Sequence, residues 1–421
     1  MAIAYRLLSK AFPTSASDWV WDYGAVGETP KLVLFWTAKY TDATFAASWV
    51  NGLMLAHGFT DGTHHACACI AAEHATGGNT DSYSRGSNTK DIMAIDETNG
   101  ATLFAAHVSS FTTGGGGDGF TMAIDTPAPA AGSQYIVFAL VIFGDIDAIV
   151  GQMSTGSEIG FHPDCGGLLS VPTVNDTSDT SAGWSNGWFQ RYPVIQQACR
   201  WWNLRDNNGG AEPTPWWAYP SSDSLLIYSQ RNGTLDAQWQ VTGMTQGGIT
   251  MSQVGGGDDP LFWAIRKNTP GPLDIGIRTM LLPNTVASNS VRGFRGLPSA
   301  MLGMFGKQIT VNAVSTANAA QCFGMNVVDD QGSAGCLMIQ ANQTNARSLM
   351  ENRFIDIEQV TAPIGRYAGD FTSFDAAGGF TWNCTNGGVA TPYVNLLGFG
   401  STGAKGQIRG AGLLRGAGRV R

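Results

Sequence analysis

Apolar residues in this chain come in short runs separated by turn residues. KLVLFW follows Pro30, AHGFTDGT covers 56–63, and VFALVIFG covers 137–144. Such runs recur every 10 to 15 residues, with Gly, Pro or Asn-Gly between them. The 3.6-residue period of an amphipathic helix is almost absent. The pattern predicts an all-β chain of antiparallel sandwich, jelly-roll-like type, with a small barrel as the alternative.

The runs also repeat in order. Pro30, Pro163 and Pro298 each open an apolar strand and lie 133 and 135 residues apart. His57-Gly58-Phe59, Asn186-Gly187-Trp188 and Phe323-Gly324-Met325 follow. HHACACI, QQACRWW and SAGCLMI then place Cys67, Cys199 and Cys336 in register, and Asn99-Gly100 and Asn232-Gly233 mark hairpins. DGFTM (118–122), GGITM (247–251) and GGFTW (378–382) each precede a late strand, VFALVIFG, LFWAIRKN or YVNLLGFG. The expectation is three tandem homologous domains, 25–154, 155–286 and 287–408, with arms at 1–24 and 409–421.

Repetition provides an internal control on candidate chemistry. HHACACIAAEH (64–74) has the residue types of a zinc site. On a strand, however, His65, Cys67 and Cys69 share one face with no ligand from another segment. His64 and His65 align with Gln196 and Gln197, so these positions ask for polarity rather than imidazole. Cys67 and its counterparts read as small buried hydrophobes. Zinc at His65, Cys67, Cys69 and His74 is the minority reading, and no metal or cofactor is expected. No acidic pair recurs in all three units, and G-x-S-x-G, Walker A, HExxH and paired CxxC are all missing. The expectation is a non-enzymatic protein.

Composition narrows the class. Only 13% of residues are charged, about half of the roughly 25% that is typical. Glycine is abundant at 55 residues. Both suit a β protein whose surface is partly covered by other subunits. A net charge of −8 argues against nucleic acid as main partner. The apolar run 135–150 is interrupted by Asp145 and Asp147, so no membrane insertion is expected, and the first 24 residues lack a signal-peptide layout. The seven cysteines read as reduced.

Two regions are candidate contact sites. The second unit is rich in tryptophan, and Trp201, Trp202, Trp216, Trp217 and Tyr219 could fill a core, line a subunit interface or stack on a glycan. Flanking prolines place Trp216 and Trp217 on a loop. The tail carries Arg409, Arg415, Arg419 and Arg421 without an acid, which reads as an arm that docks on an acidic neighbour.

GFHPD (160–164), Pro30-KLVLFW, AHGFTDGT, DGFTM and VFALVIFG together resemble domains that recur in structural proteins of tailed bacteriophages. The resemblance spans about 25–408, and the third unit departs most, with GLP in place of x-P and a hairpin lacking Asn-Gly. It implies a virion component of head surface, neck or tail, made in the host cytoplasm. Such a component would assemble with itself and with other virion proteins. The alternatives are a tail fibre that binds host surface glycan and, further off, a polysaccharide depolymerase.

Overall fold

Runs such as Leu32–Ala38 and Ile136–Phe143 are apolar at nearly every position rather than every second one, which requires a strand covered on both faces. The computed structural model shows what covers them. It describes residues 3–400 except 25, 40–49, 75–80, 114–117, 130–134, 154–161, 172–173, 176, 179–180, 193, 206–215, 223, 225, 230–234, 256–259, 272, 284, 295–296, 307–314, 317–318, 329, 340–344, 359–365, 376–377 and 388–392. No helix occurs among the described residues, and the architecture is all-β and sandwich-like.

The described residues form three seven-stranded antiparallel sheets. The first runs Ala4–Ala11, Ile136–Phe143, Leu32–Ala38, Leu53–Thr60, His65–Ala72, Ser82–Ser87 and then Thr177–Ser178. The second runs Ile146–Gln152, Leu261–Lys267, Cys165–Ser170, Ser181–Gln190, Gln196–Arg205, Trp216–Ser221 and then Ser315–Thr316. The third runs Ile275–Leu281, Tyr393–Gly400, Pro298–Gly306, Ala319–Val327, Asp330–Ile339, Asn345–Glu351 and then Val50–Asn51. The order is the same each time. The last, two-residue strand always comes from another part of the chain. The second third of the chain donates to the first sheet, the third to the second, and the first to the third. The donations form a closed cycle.

A smaller sheet covers the outer face of each large one. Trp19–Asp22, Gly119–Thr126, Thr102–Thr112 and Ile92–Ile95 form the first. The second contains Leu226–Ser229, Leu235–Thr245 and Gly248–Val254, and the third Ser288–Arg292, Gly379–Gly387, Arg366–Asp375 and Ile355–Glu358.

Side chains alternate accordingly. In Leu32–Ala38, Leu32, Leu34 and Trp36 enter a core shared by all three large sheets, and Val33 and Phe35 enter the first outer core. The shared core also holds Trp184, Trp188, Trp202 and Trp263 from the second sheet and Leu302, Met304 and Phe323 from the third. The Gly-Phe-Thr motif belongs to the outer layers, where Phe120, Ile249 and Phe380 are buried in their own outer cores. Its glycine is needed for backbone approach. A Cβ on Gly119 or Gly379 would collide with the carbonyl of Trp21 or Val291 on the adjoining strand. Gly58 and Gly324 pass equally close to the carbonyls of Asp91 and Phe354, where the outer sheet crosses.

Pairing corrects three expectations. Residues 1–24 are not an arm, because Ala4–Ala11 and Trp19–Asp22 are sheet strands with Tyr5, Leu7, Trp19 and Trp21 buried. Ile146–Gln152 and Ile275–Leu281 pair with the strands that follow them, so the sheets divide the chain at 144–145 and 268–274 rather than at 154 and 286. Trp216 and Trp217 lie in a strand that pairs on both sides, not on a loop. The tail at 409–421 lies outside the described residues.

Candidate functional site

Each outer sheet carries a β-bulge at the same place, opposite the step Thr121/Met122 in the first, between Val241 and Gly243 in the second and between Phe371 and Ser373 in the third. A bulge leaves a backbone amide out of the ladder, and a buried amide needs an acceptor. In the second and third sheets a glutamine from the underlying large sheet provides it. Val241 N donates to Gln197 Oε1 at 2.7 Å, and Phe371 N donates to Gln331 Oε1 at 2.6 Å.

The first sheet solves the same problem with two residues. Val108 N donates to Asp91 Oδ2 at 2.5 Å, and His65 Nδ1 donates to Asp91 Oδ1 at 2.9 Å. His65 stands two residues before Cys67, as Gln197 stands before Cys199. This is the position the sequence marked as polar rather than imidazole-specific. Beside it, His107 Nδ1 donates to Asp125 Oδ2 at 2.9 Å, and Lys90 Nζ lies 2.6 Å from Asp125 Oδ1. The rings of His65 and His107 lie 5.5 Å apart at 71°.

Burial pushes the Asp91 carboxyl up to about 6 against the pull of His65. Burial also opposes charge on His65, but the hydrogen bond and charge of Asp91 outweigh it and hold the imidazole above its ordinary range. For Asp125, burial is outweighed by the bonds from Lys90 and His107, and its carboxyl sits below the usual range.

Cys67 and Cys69 face the first outer core, and burial pushes both thiols up, so they are packing groups rather than thiolate ligands. The Cys register holds between Cys67 and Cys199, which lie opposite Gly58 and Gly187. It fails in the third sheet, where Ser333 lies opposite Gly324 and Cys336 is three residues further on. The position accepts any small residue.

At the centre, the residues before those three glycines converge. His57 Nδ1 lies 2.9 Å from Asn186 Nδ2, and the His57 ring stacks on Trp36 at 4.3 Å and lies 6.5 Å from Phe323. Burial pushes His57 down to about 3, so it is neutral. Arg200 is also buried, and burial lowers it to about 9. From the second sheet it donates to carbonyls of the third, Met304 O at 3.1 Å and Tyr393 O. Asn395 Nδ2 answers with a bond to Ser221 O at 2.8 Å, and Gln190 Oε1 accepts from Ile277 N at 2.9 Å. Where the first third joins the third, Ser348 Oγ accepts from Met54 N at 2.9 Å and donates toward Gly52 O and Met54 O. His57 and Asn186 stand at the glycine anchors that recur in the sequence, whereas nothing in the sequence marks Gln190, Arg200, Ser348 or Asn395 as bridges between sheets.

Of the expected contact residues, Trp201 and Trp202 are buried, Trp202 in the shared core. That placement fits the core alternative and removes both from any exposed face of this chain. Trp216, Trp217 and Tyr219 lie in the strand Trp216–Ser221, with side chains outside the described residues. Arg409, Arg415, Arg419 and Arg421 are also outside them. Among the described residues no group of three or more His, Cys, Asp or Glu is placed to hold a metal ion. Comparison with protein-family models, curated proteins and solved structures finds no match to this chain.

Proposed function

We propose that the chain is a non-enzymatic structural component of a bacteriophage virion: three homologous jelly-roll-like sandwich units in one polypeptide that act through surface contacts with neighbouring virion proteins. The observation that carries this reading is the cyclic exchange of strands around a shared core. Such a body presents a fixed set of loops to neighbours.

The strand ends that flank both linkers, Phe143, Ile146, Lys267 and Ile275, lie at one end of the large sheets. So do the strand ends Thr60 and His65, Gln190 and Gln196, Val327 and Asp330, and the last described residue, Gly400. Tyr5 Oη donates to Gly400 O at 3.3 Å, which ties the last described residue to the first sheet at that end. That end is the one proposed to attach to the particle, with the tail arginines engaging an acidic neighbour. The glycan-binding alternative rests on Trp216, Trp217 and Tyr219 alone, since Trp201 and Trp202 are buried.

Cryo-EM of an intact particle, with the chain traced in place, tests the reading. Density for the chain on head, neck or tail, contacting its neighbours through the linker end, is the expected result. Absence from every particle would contradict it.

A further inference from the structure

The first outer sheet departs from the other two in a way that packing alone does not require. One glutamine suffices to satisfy the bulge amide at Val241 and again at Phe371. At Val108 the chain uses a histidine and a fully buried aspartate instead, and a second histidine with its own carboxylate stands alongside. His107 comes from the strand Thr102–Thr112, so it is the ligand from another segment that HHACAC by itself lacks.

We propose that His65 and His107 form a binding site for a divalent transition-metal ion of borderline softness, such as Zn²⁺ or Ni²⁺. Three observations support it. Each imidazole has its Nδ1 held by a carboxylate, Asp91 or Asp125, at 2.9 Å, which leaves Nε2 as the coordinating nitrogen. This is the outer-shell arrangement that fixes the tautomer and orientation of metal-bound histidine. Next, the ring separation fits a shared ion. A Zn–N bond of about 2.0–2.1 Å puts each centroid about 3.2 Å from the metal, so at a tetrahedral angle two such rings lie about 5.2 Å apart. The observed separation is 5.5 Å. Finally, both rings reach the surface, with side chains 18% and 31% exposed, so an ion has a path in.

His65 Nδ1 also lies 3.3 Å from Thr60 Oγ1, and Lys90 occupies the other oxygen of Asp125. Both carboxylates are therefore used as orienting groups rather than ligands. Two protein nitrogens leave the remaining coordination positions to water or to a partner's side chain.

Titration calorimetry of the full chain with Zn²⁺ alone, repeated with Ni²⁺, tests the site. His65→Gln installs the residue that the other two sheets use at this position, so the fold is retained. About one equivalent should bind the intact chain, with affinity at least about tenfold weaker in His65→Gln and in His107→Gln. Asp125→Asn should weaken it about 10–100-fold through orientation of His107. His64→Gln, at an exposed neighbour paired with Asp61, should change nothing. Failure of the intact chain to bind, binding that survives both His65→Gln and His107→Gln, or equal loss in His64→Gln would each overturn the proposal.

Discussion

The shared core and the outer cores lie on opposite faces of the same strands, and they differ in what they join. An outer core unites a large sheet with its own small sheet, and its polar residues, His65 with Asp91, Gln197 and Gln331, satisfy one local amide each. The shared core joins parts of the chain more than a hundred residues apart. Its polar residues, Asn186, Arg200, Asn395 and His57, reach from one large sheet to another. Apolar area dominates the stability of both regions, and at the centre polar contacts and exchanged strands also run from one large sheet to the next. The same difference accounts for the low charge. A strand buried on both faces has few positions where a charge could be hydrated, and each large sheet contains such strands.

Truncation should separate the two regions most sharply. Trp188→Ala in the shared core and Phe380→Ala in the third outer core should each cost about 3–5 kcal/mol. Hydrogen exchange should then speed up in all three large sheets for Trp188→Ala and mainly in the third for Phe380→Ala. Equal, local effects would remove the distinction.

Acid should act on the centre through His57. An imidazole in the unfolded chain titrates at 6.5, but in the fold His57 is pushed down to about 3. Between those values the unfolded chain holds a proton that the folded chain lacks. Its contribution therefore falls as pH drops from 6.5 toward 3, by up to roughly 1.4 kcal/mol per pH unit. Denaturant midpoints across that range should lose this component in His57→Gln.

Smaller effects are expected from single ties. Ser348→Ala leaves the buried Met54 amide without its acceptor at the junction of first and third sheets, which should cost about 1–3 kcal/mol in urea unfolding. Gln197→Leu removes the acceptor of the Val241 amide in an outer layer and should cost about 1–2 kcal/mol, with the second third affected first. The ordering Trp188, Ser348, Gln197 ranks contacts by how many sheets depend on them.

Much of the strand content was legible in the sequence, for definite reasons. The glycine of Gly-Phe-Thr recurs at Gly119 and Gly379 because a Cβ there would collide with a carbonyl of the strand paired alongside. The polar position before Cys67 and Cys199 recurs because a bulge needs an acceptor. Ser333 took the place assigned to Cys336 because the strand requires a small residue and not a thiol. Hydrophobic pattern puts the edge strands 146–152 and 275–281 with the preceding unit, because it reports that a strand is buried and not which neighbour it pairs with. Donated strands such as Val50–Asn51 are two residues long, too short for any period to register. Arg200 carries no sign in RWW that its charge would be spent on carbonyls of another sheet.

The closure of the cycle between first and third sheets is the contact on which the account depends most. Asn51 lies opposite Arg347, 296 residues away in sequence. Opposed residues in an antiparallel pair have Cα atoms about 4.5–5.5 Å apart, inside the roughly 4.4–6.8 Å window for a disulfide. In the double variant Asn51→Cys and Arg347→Cys, mild oxidation followed by peptide mapping should yield a 51–347 disulfide within one chain, in high yield at high dilution. Recovery of both thiols reduced, or of the bond only between chains, would contradict the closed arrangement.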